Sequence, residues 1–264
     1  MTNMLRALYA YRGFILGNIK REFQSKYSNS LLGAAWNVIN PLAMILIYTV
    51  IFSGVMRAKL PGANTTFAYS VYLCAGVLTW ALFTEIVSRS QNVFLDNANL
   101  LKKVSFPRLC LPATILGSAI LNFSIIFGLF TAFLIVSGNF PGMVFLALIP
   151  VLAILIMFAL GLGMTLGVMN VFFRDVGQFF GIFLQFWFWL TPIVYPRSVI
   201  PERFQYLLAF NPMASIVGAC QTILVEHRYP SWISLIPCAI LGIVFCFIGM
   251  NLFHKHAGEM VDEL

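Results

Sequence analysis

Charge is what this chain has least of. Asp, Glu, Lys and Arg make up 9% of its 264 residues, against about 25% in an ordinary globular domain. Hydrophobic residues make up 60% and the mean hydropathy is +0.90. Such a chain cannot cover itself with a polar surface, which excludes a soluble fold and leaves a polytopic membrane protein. No GxxxxGK[ST] is present, so no nucleotide is bound through a P-loop. No Lys, Arg, Asp or Glu falls in the middle third of any predicted span. A charge there would cost at least about 2.5–3.5 kcal/mol and would mark an ion path, so proton-coupled or sodium-coupled transport and voltage sensing are argued against. The five cysteines (Cys74, Cys110, Cys220, Cys238, Cys246) show no CxxC spacing and read as small buried hydrophobes. Of the three histidines, His227 is expected near the outer surface of the membrane, and His254 and His256 read as ordinary tail residues rather than metal ligands. Nothing resembles a nucleophile–base pair. The chain is therefore expected to catalyse nothing, to bind no metal or cofactor, and to draw its energy from elsewhere. No cleavable signal peptide is expected, because Arg12, Lys20 and Arg21 interrupt the first apolar run.

What is present is a series of apolar runs. At about 20 residues per span the length allows roughly six. Residues 4–27 read as a basic amphipathic helix: Leu8, Tyr11, Ile15, Ile19 and Phe23 recur at spacings of three and four, with Arg12, Lys20, Arg21 and Gln24 on other faces. Such a helix suits the headgroup region. Spans are predicted at about Leu32–Met56, Phe67–Val87, Leu109–Val136, Met143–Val171, Phe179–Thr191 and Trp232–Phe253. Glu85 and Arg89 close the second span as an i,i+4 pair. Between the fifth and sixth, Pro192, Pro196, Pro201 and Pro212 divide residues 192–230 into two short helices, about Glu202–Phe210 and Met213–Val225. The second is apolar but too short to span, so this region reads as a re-entrant or interfacial hairpin. The fold class expected is an all-α integral membrane protein of six transmembrane helices forming one domain, 1–264.

Lys and Arg orient it. With the N-terminus inside, eleven fall on the cytoplasmic side and five outside, which predicts both termini in the cytoplasm. These basic residues sit between apolar runs and read as topology signals, not as a groove for nucleic acid. The same orientation places Asn99–Pro112 (NLLKKVSFPRLCLP) in the cytoplasm. Asp96 and Asn99 are candidate N-caps there, and Pro107 stops a helix at Phe106. Leu100, Leu101, Val104 and Phe106 form an apolar face beside Lys102, Lys103 and Arg108. This amphipathic piece is either an interfacial anchor or a peg for a soluble partner.

Two features bear on a conduit. Phe179, Phe180, Phe183, Phe186, Trp187, Phe188 and Trp189 make the fifth span unusually aromatic, with Phe179, Phe183 and Phe186 on one helical face. Such rings either form a lipid-facing belt or line a channel whose ring faces stack on sugars. Small residues at Ala159, Gly163 and Gly167, and at Gly177 and Gly181, permit close helix packing within one subunit or between two.

Several local patterns also occur in a telling order: YSNSLLGAAWNVINPL (Tyr27–Leu42), GVLTWALF (Gly76–Phe83), LLKKVSFPR (Leu100–Arg108), FFRDVGQ (Phe172–Gln178), LTPIVYP (Leu190–Pro196) and FNPM (Phe210–Met213). On these the chain resembles, over nearly its whole length, the permease subunits of type-2 ABC exporters of polysaccharides, closest to the O-antigen type. The resemblance implies a homodimer forming a channel in the bacterial inner membrane and two separate nucleotide-binding ATPase subunits that carry ATP and Mg. It implies an undecaprenyl-pyrophosphate-linked polysaccharide as cargo, with membrane lipids around the assembly. It further implies that residues 96–107 are a coupling helix engaging the ATPase through Leu100, Leu101, Lys102, Lys103, Val104, Phe106 and Arg108. Residues 4–27 become a gate helix and 192–230 a periplasmic gate. Phe179, Phe183, Phe186 and Trp187 become channel lining, and Arg12, Lys20, Arg21 and Lys26 attract the pyrophosphate at the entrance, unless they serve only as positive-inside anchors. Capsule or teichoic acid export stays open beside O-antigen, as does a sister permease for a drug or lipid. A more distant alternative is a membrane polyprenyl-phosphate transferase, which requires paired carboxylates where Glu85, Asp96 and Asp175 read as isolated.

Overall fold

The computed structural model describes residues 9–25, 35–48, 50, 68–103, 110–256 and 258–263. Among them every regular element is helical. In chain order these are α1 (Arg12–Ser25), α2 (Trp36–Tyr48), α3 (Ala68–Asp96), α4 (Ala98–Lys103) and α5 (Cys110–Val136). A 3-10 turn, Gly142–Ala147, then leads into α6 (Leu148–Phe172), followed by α7 (Asp175–Leu190) and α8 (Glu202–Ala209). Next come α9 (Pro212–Gln221), continued by a π-helical turn over Thr222–Glu226, α10 (Trp232–His256) and α11 (Glu259–Glu263). Among the described residues four rods are long and apolar enough to cross a membrane: α3, α5, Gly142–Phe172 and α10. The chain is thus an all-helical multi-pass membrane protein. Helix α7 has 16 residues, about 24 Å at 1.5 Å per residue, and the described part of the first predicted span, α2, has 13.

The predicted boundaries differ from the observed ones most in α3. That helix does not stop near Val87 but runs on to Asp96, because Ile86, Val87, Val93 and Phe94 remain fully buried against neighbouring helices and packing sustains the helix. Glu85 consequently lies within the middle third of the observed helix. Asp96 is the last residue of α3 rather than a cap for α4, and Asn99 lies inside α4. The turn between the two is made at Asn97, whose carbonyl accepts from Leu101 N at 3.0 Å.

Helix α6 is the centre of the bundle, packed most extensively on α10 and on α3. Its glycines set how near these helices come. A methyl built on Gly163 would meet Cβ of Ser90 at 2.6 Å, and one on Gly167 would meet the carbonyl of Ser90 at the same distance. On another face of α6, Gly161 lies against the backbone of Cys246 in α10, and Gly249 of α10 lies against Thr165. The small-residue pattern of α6 therefore serves packing inside one subunit. The pair in α7 behaves differently: Gly177 receives the Asn170 side chain, and Gly181 borders open space.

The turn between α5 and the next rod is formed by Gly138 and Gly142 at φ +73° and +63°, a region glycine enters without steric cost. Helix α6 ends where Phe173 turns extended, and Asp175 opens α7 with a carboxylate at the positive end of its dipole.

Candidate functional site

Four regions carry the predicted roles. On α4, Leu101 is buried in a small core with Phe94 of α3, Phe253 of α10 and Met260 of α11, while Lys102 is exposed. Leu101 is thus seated and Lys102 points outward. Leu100 and Lys103 lie on the same short helix. Val104, Phe106 and Arg108 lie outside the described residues, as does Lys26.

On α7, Phe179, Phe183 and Phe186 are 70%, 40% and 65% exposed, and Ile182, Trp189 and Leu190 join them. They form one stripe at helical spacing. Phe180 and Leu184 are buried on the opposite side. Trp187 does not share the stripe. It is half-buried, with its ring 5.3 Å from Phe83 and 6.0 Å from Trp80, and its indole N–H donates to Asn211 Oδ1 at 2.8 Å. Trp187 therefore faces the bundle, and its hydrogen bond explains why: a buried indole N–H needs a partner, and Asn211 offers one.

Around residues 191–226 the chain is stitched by side chains. Asn211 caps α9 by accepting from Met213 N and Ala214 N, and its amide donates to Leu190 O and Thr191 Oγ1. Tyr69 at the start of α3 donates to Val194 O at 2.7 Å. Tyr72 donates to the carbonyls of Pro192 and Tyr195, and Gln221 donates to Pro192 O. Arg197 donates to Ala214 O at 2.7 Å. Burial of Tyr195, whose hydroxyl donates to Trp189 O, pushes its phenol above the ordinary range. The prolines free backbone carbonyls from helical pairing, and the tyrosines and the glutamine satisfy them, while Arg197 reaches into helix α9.

On α1, Phe14, Ile15, Asn18, Ile19, Glu22 and Phe23 are half-buried and face the bundle, while Arg12, Lys20 and Arg21 are exposed on the outer side. Tyr11, predicted on the apolar face, is exposed. Arg12 stacks over the Tyr9 ring at 4.2 Å.

Two polar nodes go beyond the sequence reading, which foresaw only the Glu85–Arg89 pair of the first. Glu22 of α1 pairs with Arg89 at 2.6 Å and accepts from Ser118 Oγ at 2.8 Å. Arg89 also lies 3.6 Å from Glu85, which accepts from Asn122 Nδ2 at 3.1 Å. Glu85 is thus not isolated but one of two carboxylates on a single guanidinium, which stands where a bridging divalent cation would have to sit. The signal was present: Glu22 is the lone acidic residue before Glu85. The second node is Asn170 at the end of α6. Its amide donates to Gln91 O and Asn92 Oδ1, its Oδ1 accepts from Gly177 N, and Gln91 donates back to Gly177 O. It pins the start of α7 to α3 a few residues above α4. A single Asn in an apolar run with no obvious cap role was the available clue.

The sequence matches a known family. Residues 15–225 fit the ABC-2 type transporter family, reaching from α1 to the π-helical turn. The chain is 30% identical to the O-antigen export system permease protein RfbA of Myxococcus xanthus over the full length of both proteins. It is 30% identical to the protein of that name from Klebsiella pneumoniae over 89% of this chain and 88% of that one. It is 24% identical to the polysialic acid transport protein KpsM of Escherichia coli, over 92% and 93% respectively. The chain belongs to the ABC-2 type transporter family.

Proposed function

We propose that this chain is the membrane permease subunit of an ATP-driven exporter that moves a lipid-linked polysaccharide, of O-antigen type, out of the bacterial cytoplasm across the inner membrane. The observation that carries the reading is the end-to-end similarity to an O-antigen export permease, which covers both chains completely. The exposed aromatic stripe of α7 supports it. Flat ring faces stack on sugar rings with little directional preference, so a polymer held by several weak contacts can slide.

In this reading α2 and α7 join the four longer rods to make six spans, with both termini in the cytoplasm and residues 192–230 returning toward the outer side as a gate. Two copies pair so that their α7 stripes face a shared channel. Phe179, Phe183 and Phe186 line it, and Trp187 holds the helix in place. Two ATPase subunits, which carry ATP and Mg, dock on the segment 96–107 through Lys102, Lys103 and the residues around them. Arg12, Lys20, Arg21 and Lys26 present positive charge to a pyrophosphate on the cytoplasmic side. The permease itself transports without catalysing a reaction. A capsule-type cargo is the second reading, favoured by the similarity to the polysialic acid transport protein.

The test is purification of the tagged chain from its native membrane in mild detergent, with mass spectrometry of what accompanies it. An ATPase subunit in equal amount together with a lipid-linked glycan supports the reading. A chain that purifies alone, or with an unrelated lipid and no ATPase, overturns it.

A further inference from the structure

Helix α1 rests on the bundle without burying a single residue completely. Two of its contacts with the bundle are specific. The tip of the Ile19 side chain seats against Gly117 of α5, where an added β-carbon would push it aside. One turn further on, Glu22 reaches Arg89 of α3 and Ser118 of α5. Between α1, α3 and α5 lies a cavity of about 280 Å³ lined by Ile19, Glu22, Phe23, Glu85, Arg89 and Asn122, among others. A span of about 30 Å measured along α3 from Ala68 ends near Val87, so Glu85 and Arg89 straddle the boundary at which an interfacial helix lies.

The charges in this node are arranged unusually. Arg89 serves two carboxylates, Glu22 at 2.6 Å and Glu85 at 3.6 Å, and Asn122 holds Glu85 toward it. Breaking a shielded ion pair is costly chiefly because it strands an unpaired charge. Here no cation is stranded: if Glu22 withdraws, Glu85 still neutralises Arg89. Glu22, already partly exposed, moves into water among Lys20 and Arg21 of its own helix. Both the attached and the lifted arrangement of α1 are therefore electrostatically closed.

We infer that α1, a gate helix by the family resemblance, is strapped over this cavity by a latch at Glu22, and that Arg89 is handed from Glu22 to Glu85 as the strap lifts. The inference rests on the exporter reading only for its consequence in transport. Glu22 and Glu85 compete for one arginine, so their removal has opposite effects. Glu22→Gln weakens the attached state. Glu85→Gln leaves Arg89 to Glu22 alone and strengthens it. A merely structural cluster loses stability with either change and shows no such opposition.

The experiment introduces Ile19→Cys and Gly117→Cys together and measures oxidative disulfide formation in the purified complex, with the native-cysteine parent as control. Expected is a cross-link in the resting protein, formed about three- to tenfold more slowly with Glu22→Gln, the size given by loss of one partly exposed ion pair and one charged hydrogen bond. With Glu85→Gln it forms as fast or faster. Cross-linking should arrest export, and reduction should restore it. Equal cross-linking rates in all three backgrounds, or normal export by the cross-linked protein, overturn the strap. A second pair lining the same cavity, Ile19→Cys with Leu121→Cys, covers the case in which Gly117→Cys prevents folding. The rates need no transport to be read. If they behave as expected while no ATPase and no glycan associate, the strap stands and the exporter reading falls.

Discussion

Asn211 shows how much one side chain can carry. Its amide caps α9, receives the Trp187 indole N–H and donates back to the end of α7, so it joins three segments across a proline-rich turn. Removing an N-cap costs about 1 kcal/mol, and leaving a buried N–H unpaired adds about 1–3 kcal/mol. Asn211→Ala should therefore lower the melting temperature of the solubilised protein by several degrees, read from a thermal scan in detergent, whereas Gln205→Ala, on exposed α8, should leave it unchanged. Gly167 is equally constrained for the opposite reason: it contributes by having no side chain. Gly167→Leu drives carbon into the Ser90 carbonyl on α3, and the α3–α6 contact cannot open without unpacking Phe94. Accumulation of folded protein in the membrane should collapse, while Gly181→Ala, facing open space, should accumulate normally. The first of these residues was visible in the sequence within FNPM, and the second as part of a small-residue pattern. Their partners were not, because Trp187 and Ser90 are distant in sequence and reach them only through folding.

At the scale of single elements, α4 and α7 can be separated by what their loss does. Reversing Lys102 and Lys103 to Glu inverts the charge beside exposed Lys102 while leaving the seated Leu101 in place. The permease should assemble at normal levels while glycan export and substrate-stimulated ATPase activity fall at least about tenfold. Retention of both activities would remove the docking role of the segment. Replacing Phe179, Phe183 and Phe186 together by Ala tests the stripe. These rings are exposed within the subunit, so folding should survive, and export should drop far more than complex assembly measured by co-purification. Unchanged export would mean that the rings face lipid. Both elements were legible beforehand from periodicity, charge and proline placement. The inward direction of Trp187 was not, since it depends on Asn211 lying within hydrogen-bond reach.

For the molecule as a whole, α3 is the element that joins the two ends. Its first turns hold the 192–195 carbonyls through Tyr69 and Tyr72. Its lower half carries Arg89, Gln91 and Asn92, and beyond Asp96 the chain enters α4 directly. At 29 residues it measures about 43 Å, longer than the hydrocarbon core, so it links the 192–195 segment to α4 without a break. The proposed orientation makes a direct prediction for reagents that cannot cross the membrane. A cysteine at Tyr229, exposed after the π-helical turn, should be labelled in intact spheroplasts, and one at Lys102 only after permeabilisation. Labelling of both from the same side would require a different number of spans.

The sequence by itself determined that this is a multi-pass helical membrane protein, where most of its helices begin and end, and which short segments are amphipathic or aromatic. These properties are local: hydropathy, helical periodicity and proline placement act within a few turns of chain. Only the tertiary structure decided which side chains meet. Glu22 finds Arg89, Asn170 finds Gln91, and the tyrosines of α3 find the loop after α7, because hydrogen bonds and ion pairs act over about 3 Å while the residues that make them are scattered along the chain. In a chain with so few charges, each such meeting had to be brought about by packing of apolar faces that carry no record of their partners.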